Sequence, residues 1–340
     1  MARFLVFCAW ILVALATAWS AAALYFDFPF ARLRIPASVS YLLIVTAAVF
    51  FLKPGPRALL ACSVLFLAVL LWWLTIAPSN ERNWYPDVAQ TAWAEIDGDR
   101  VTLHNFRNCE YRSQSDYTCR WETKVLDLAQ LRGVDVSFVD WGVPYIAHII
   151  VSFQFGEDDY VAVSIETRKQ LEQHYSALRG FFRTYALIYL FADERDVLRL
   201  RTNFRHHEEV YLYRTTATPE WSRALLLEYL GRANQLHREP EWYNALTDNC
   251  TTNIFTEMAR TGHLPPGSSR LDPRILFSGL ADKMLYNGGN LAGGSPAGGI
   301  PFAELKARAH INPTARTASY ANFSEEIRMG RPGFAFLRQK

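Results

Sequence analysis

Three long apolar runs open this chain, and they restrict its fold more than anything that follows. They are "FLVFCAWILVALATAWSAAALY" (4–25), "IPASVSYLLIVTAAVFFL" (35–52) and "ALLACSVLFLAVLLWWLTIA" (58–77). Each is close to the roughly 20 residues that a helix needs to cross the hydrocarbon of a bilayer. Residues 81–340 mix charged, polar and apolar side chains as a water-exposed domain does. The expected organisation is therefore an anchor of three transmembrane helices over 1–80 and one domain over 81–340. Lys53 and Arg57 lie in the "KPGPR" turn between the second and third runs. By the positive-inside tendency they place that turn in the cytoplasm and the large domain outside, although Arg32 and Arg34 pull the other way. The Trp72–Trp73 pair suits a membrane interface. An alternative treats the first run as a signal peptide cleaved near "AWSAAA", which also leaves the domain outside.

The formal charge is only +2 and no Lys/Arg-rich run occurs, so a nucleic-acid partner is not expected. Of five cysteines, Cys8 and Cys62 lie in the apolar runs and read as small apolar residues. Cys109 and Cys119 bracket a short stretch, as a disulfide staple across a hairpin would in an oxidising compartment. Cys250 is then left without an evident partner.

Along the domain, residues 95–124 read as short strands. Residues 145–155 and 160–168 form a hairpin around "GEDD". Helical spacing is expected from 167, ending in a strand near 191. An amphipathic segment follows at 193–204, a strand at 210–217, and a helix over 218–239 capped by Thr218 with Pro219 in its first turn. A further helix starts at Cys250 and stops at Gly262 and the "PPG" beyond it. Residues 287–299 are glycine-rich and read as a flexible loop. The mixture is α+β with a largely antiparallel sheet.

The candidate chemistry centres on Cys250. A helix N-terminus, with Asp248 or Asn249 as cap, favours a thiolate and offers N–H groups to an oxyanion. Such a nucleophile needs a base, and His148 is the one histidine that interrupts an apolar strand. Ile149, Val151, Phe153 and Phe155 share one face of that strand, leaving His148, Ser152 and Gln154 on the other. Matching the apolar faces of the two hairpin strands puts Glu166 opposite His148. There it can fix the imidazole tautomer, with Ser164 the lesser candidate for that role. His310, in "ARAHIN", has no assigned role. Taken singly, a strand histidine and a helix-starting cysteine are more often structural than catalytic; their joint occurrence makes the case. His206, His207 and Glu208 form only a weak metal-site candidate, and neither metal nor cofactor is expected.

The segments "RNCEYRSQSDYTCRWE", "WGVPYIAHIIVSFQF", "AVSIETRK", "YALIYLFADERDVLRLRTNFR", "EWYNALTDNCTTNI" and "FAELKARAHIN" resemble, in order, the periplasmic domain of the Lnb-type lipoprotein N-acyltransferases. That resemblance implies a circularly permuted papain-like domain of the NlpC/P60 kind, with histidine before cysteine. It implies Cys250 as nucleophile, His148 as base and Glu166 on the strand that follows. Asn249 would shape the oxyanion site, and Trp141, Arg168 and Tyr243 would line the cleft; Ser164, from its place on the strand, is a further substrate-side candidate. Two departures stand out. The Cys109/Cys119 pair is outside the family's common pattern, and the membrane runs precede the domain rather than follow it. The expected protein is a multi-pass bacterial inner-membrane enzyme with a periplasmic catalytic domain, acting through a thioester on lipid or lipoprotein acyl groups. Membrane lipids and lipoproteins are its expected partners. The alternatives are a thiol amidase or peptidase on cell-wall peptides and a non-catalytic envelope-binding domain.

Overall fold

The computed structural model describes residues 1–143, 145–263 and 277–334; the "PPG" stretch lies outside them. The chain divides into two compact units. The first comprises Met1–Ser79 with two later pieces, His174–Ala186 and Trp242–Ala245; the second holds the rest.

In the first unit the apolar runs form α1 (Ala2–Asp27), α2 (Arg34–Leu52) and α3 (Pro56–Leu74). All three are long and apolar enough to cross a membrane. Lys53, with φ 59°, breaks the chain between α2 and α3, and Pro56 opens α3 where a missing N–H costs nothing. The small residues Ser20, Ala21 and Ala23 are buried against the neighbouring helices, and Ser38 Oγ donates to the Ala21 carbonyl at 2.9 Å. "AWSAAA" thus serves close helix approach, as small residues do between membrane helices.

The second unit is built on an eight-stranded sheet in the order β1-β2-β7-β6-β5-β4-β8, with β3 paired to β2. The strands are β1 (Trp93–Asp97), β2 (Arg100–Tyr111), β3 (Tyr117–Asp127), β4 (Leu131–Asp140), β5 (Ala147–Phe155), β6 (Asp159–Arg168), β7 (Ala186–Ala192) and β8 (Glu209–Arg214). β1–β2, β2–β3, β4–β5, β4–β8 and β5–β6 pair antiparallel, and β2 pairs with β7 in parallel. Among the helices are α4 (Glu194–Arg199), continued by a π-helical turn at Leu200–Phe204, α5 (Pro219–Arg238) and α6 (Cys250–Arg260). Later come α7 (Ala281–Asn287), α8 (Phe302–Ala309), α9 (Asn312–Thr317) and α10 (Phe323–Glu326). The architecture is α+β.

Every residue of β5 is buried, because both sheet faces are covered. Ile149 and Val151 line an apolar cavity of about 50 Å³ with Leu225 and Tyr229 of α5 and Ile254 of α6. On the other face Ile150 joins Val197 and Leu198 of α4, Ala315 of α9 and Phe323 of α10 in one cluster. Cys109 and Cys119 stand opposite each other in the β2–β3 register and form a disulfide.

Two expectations fail. No α-helix continues from residue 167: only a 3-10 turn forms, at Leu178–Phe181, before β7. The apolar residues there follow helical spacing, but Phe182 packs on Phe26 of α1 rather than along a helix face. The 287–299 loop is pinned: Leu291 is buried and bridges to Thr215, and Tyr286 Oη donates to the Ile300 carbonyl at 3.1 Å.

Candidate active site

β5 and β6 pair in the register read from their apolar faces. Ile150 stands opposite Ser164 and Phe155 opposite Asp159, and Gly156 supplies the positive φ of 60° that the turn needs. Continued past Ile150, that register sets Glu166 opposite His148. On the other side of β5, Val139 of β4 faces His148, and Asp140 of β4 faces Glu209 of β8. Four neighbouring strands therefore bring Glu166, His148, Trp141 and Glu208 to one end of the sheet.

Cys250 is the first residue of α6, which packs against β5 and β6. Asn249 is the cap, not Asp248: its side-chain oxygen accepts from the Thr252 N–H at 2.9 Å, and Thr252 Oγ1 accepts from the Asn249 N–H at 2.9 Å. This reciprocal pair fixes the first turn. Asn253 adds a brace, donating to the Asn249 carbonyl at 2.9 Å and accepting from Tyr189 Oη at 3.0 Å. Among the described residues, the N–H groups of Cys250 and Thr251 have no hydrogen-bond partner and stay available at the helix end.

His148 is buried and joins Cys250 to Glu166. Its Nε2 lies 2.7 Å from Ser164 Oγ and 3.1 Å from Glu166 Oε1, while Ser164 Oγ donates to the same Glu166 oxygen at 2.8 Å. The imidazole also hydrogen-bonds Cys250. Burial alone would lower the His148 pKa. The Glu166 carboxylate and the hydrogen bonds to Cys250 and Glu166 outweigh it and raise the value to about 9. Burial pushes the Cys250 thiol up; the bond and charge of His148, the Thr251 hydroxyl and the Ile149 N–H more than reverse this, and its pKa is lowered. For Glu166 the same contest, burial against the His148 and Arg201 charges, ends well below the usual carboxylate range. Both shifts run in the direction of a thiolate–imidazolium pair. Cys250 remains partly open to solvent.

A second ring of residues holds this core. Arg201 Nη2 donates to Glu166 Oε1 at 2.9 Å and Nη1 contacts both oxygens of Glu208 at 3.3 Å. Glu208 accepts from Trp141 Nε1 at 3.1 Å, and the Trp141 ring lies nearly parallel to the His148 ring, 12° apart with centroids at 6.4 Å. His148, Glu166, Arg201, Glu208 and Trp141 thus close a loop. Glu208, a weak metal-ligand candidate in the sequence, is committed to Arg201, Arg205 and Trp141.

Other expected residues lie differently. Ser164 is wholly buried on the imidazole and offers no substrate face. The Asn249 carboxamide oxygen is committed to its cap. Arg168 turns away: it donates to the Val88 carbonyl at 2.8 Å, Asn80 Oδ1 at 2.6 Å and the Ala89 carbonyl at 2.7 Å, and stacks on Trp84. It fastens the segment entering the domain. Tyr243 belongs to the first unit, where its ring packs beside Gly180. His310 pairs with Glu209. Arg201 escaped the sequence reading. Its segment carries arginines at 195, 199, 201 and 205, and the π-helical turn, which shifts the helical phase, decides that Arg201 faces Glu166.

Comparison with known families matches residues 117–275 to the Lnb N-terminal periplasmic domain. The chain carries an Lnb-type domain. The matched stretch contains Trp141, His148, Ser164, Glu166, Arg201, Glu208 and Cys250, so the whole site lies within it. No curated protein and no solved structure matches the chain. Together with helices able to span a bilayer, the Lnb-type match identifies a membrane-anchored protein with a periplasmic domain.

Proposed function

We propose that this protein is a multi-pass inner-membrane enzyme whose periplasmic Lnb-type domain transfers acyl groups through a thioester on Cys250. The observation that carries the reading is the hydrogen-bonded series Cys250–His148–Glu166 at the start of α6. The Cys250 thiolate attacks an ester carbonyl, and the oxyanion is held by N–H groups at the helix end. As the tetrahedral intermediate collapses, imidazolium His148 gives its proton to the leaving alcohol and the thioester remains. His148 then accepts a proton from an incoming amine, which takes the acyl group and frees the thiol. Glu166 holds the imidazole and offsets its charge. A phospholipid or a neighbouring acyl chain as donor, and the N-terminal amine of a diacylated lipoprotein as acceptor, fit a site tethered at a membrane. The exposed Val143, Tyr145 and Ile146 just before β5, with Phe277 packed edge-on to Tyr145, favour an apolar substrate over a peptide.

The test is to incubate the purified full-length protein in phospholipid vesicles with a diacylated lipopeptide, quench with acid and examine the peptide containing Cys250 by mass spectrometry. A hydroxylamine-labile acyl mass on Cys250, absent from Cys250→Ser, is the expected result. An unmodified Cys250, with cell-wall peptides cleaved instead, would turn the reading to an amidase. Inertness toward both would turn it to a binding domain.

A further inference from the structure

Between β6 and β7 the chain leaves the sheet, and His174–Ala186 belongs to the unit formed by the membrane helices. The segment is fastened to the ends of α1 and α3. Asp27, the last residue of α1, accepts from Trp73 Nε1 at 2.7 Å, the Arg183 N–H at 3.0 Å and Thr184 Oγ1 at 3.2 Å. The Arg183 guanidinium donates to the Leu74 and Ile76 carbonyls at 3.0 and 2.6 Å, satisfying acceptors at the end of α3, and lies over the Trp73 ring at 4.3 Å. Phe182 packs on Phe26 at 4.9 Å.

The segment also holds its own shape. Leu178–Phe181 forms a 3-10 turn, the Ala245 N–H donates to the Gly180 carbonyl at 2.8 Å, and the Tyr243 N–H donates to the Tyr185 carbonyl at 2.9 Å. Tyr185 Oη donates to the His174 carbonyl at 2.8 Å and accepts from the Ser176 N–H at 2.9 Å. So braced, it leaves Leu178 65 %, Tyr175 58 % and Phe181 38 % exposed. These apolar side chains are held outward by a segment fastened to the ends of α1 and α3, which carry Tyr25, Phe26, Trp72 and Trp73, the residue types of an aromatic interface belt.

We propose that this segment is an interfacial anchor, with Leu178 and Phe181 inserted among the lipids of the periplasmic leaflet and Tyr175 at headgroup level. The occupant is the bilayer itself: the exposed apolar residues belong to a segment fastened to the ends of helices able to cross it, and Arg183 places a cation beside Trp73. A loop emitted by the sheet domain is thereby a fourth point of membrane attachment, independent of the chemistry at Cys250.

Site-directed spin labelling tests this on the full chain in phosphatidylethanolamine–phosphatidylglycerol vesicles. Cys8→Ala, Cys62→Ala and Cys250→Ser leave the disulfide as the only remaining cysteines, so the result does not depend on catalysis. Labels are placed in turn at Leu178→Cys, at Phe181→Cys, at Tyr25→Cys near the end of α1, and at Asp158→Cys on the exposed β5–β6 turn. Power saturation compares accessibility to oxygen, which concentrates in lipid, with that to a water-soluble nickel chelate. The expected oxygen-to-nickel ratio at 178 and 181 approaches that at 25 and exceeds that at 158 several-fold. Ratios at both positions equal to that at 158 would overturn the proposal.

Discussion

Two of the buried charge clusters in the sheet domain are built differently. In one, Arg328 pairs with Asp135 Oδ2 at 2.8 Å and with both oxygens of Glu194 at 2.7 Å, and lies 3.5 Å over the Tyr160 ring. Arg214 takes the other Asp135 oxygen at 2.8 Å and bonds Gln154. Arg328, Asp135 and Glu194 are wholly buried. In the other, Arg201 balances Glu166 and Glu208, but the chain of contacts runs on through His148 to a thiol that meets solvent. The first cluster holds two cations against two anions and contains neither histidine nor thiol. The second ends in a histidine raised to about 9 and a thiol lowered from its ordinary value. The same pairing of arginine with carboxylate thus fastens the C-terminal segment to β4 and α4 in one place and holds the carboxylate beside His148 in the other.

Three substitutions set the clusters against each other. The largest effect is expected for His148→Ala, which should slow thioester formation by about 10²–10⁴-fold, the usual worth of a positioned acid–base group. Folding stability should change far less, as thermal unfolding would show. Arg328→Met should do the reverse. It leaves two buried carboxylates facing each other, a loss of about 3–5 kcal/mol by denaturant titration, with the pH dependence of Cys250 alkylation unmoved in the protein that remains folded. The smallest effect is expected for Arg201→Met, about 2–4 kcal/mol, because Glu166 keeps some contact with water. Of the two arginine variants, it alone should also alter the Cys250 titration, since Arg201 touches Glu166 directly. An Arg328 variant that shifts the thiol titration, or an Arg201 variant that does not, would erase the distinction.

Much of this was legible in the sequence where a single periodicity carried the information. The apolar runs became three helices, and the alternation along β5 and β6 set the register that aligns His148 with Glu166. A cap at Asp248 or Asn249 followed from residue type next to a helical pattern, and the structure selects Asn249. What the sequence hid depends on contacts between distant segments. Arg168 sits two residues beyond Glu166 on the same strand, yet its hydrogen bonds run to residues 80–89, which no local spacing announces. Residues 167–185 follow a helical pattern, but Phe182 packs on Phe26 of α1 and only a 3-10 turn forms, at Leu178–Phe181. Arg201 needed the wider π-helical turn to face the site, a change of phase that a 3.6-residue template cannot register.

The central claim, a thiolate at Cys250 sustained by imidazolium His148, is tested most directly by the rate of iodoacetamide alkylation of Cys250 from pH 4 to 10. The Cys8→Ala/Cys62→Ala protein should be compared with and without His148→Ala. A lowered thiol pKa means that reactivity rises at lower pH than for a model thiol of about 8.5. A His148 pKa of about 9 means that the ion pair persists until pH rises through that value. The account predicts an inflection clearly below 8.5 in the parent, followed by a second change near 9. In the His148→Ala protein the inflection should move to 8.5 or above, because burial then acts on the thiol unopposed. A parent that titrates at or above 8.5, unchanged by His148→Ala, would contradict the account.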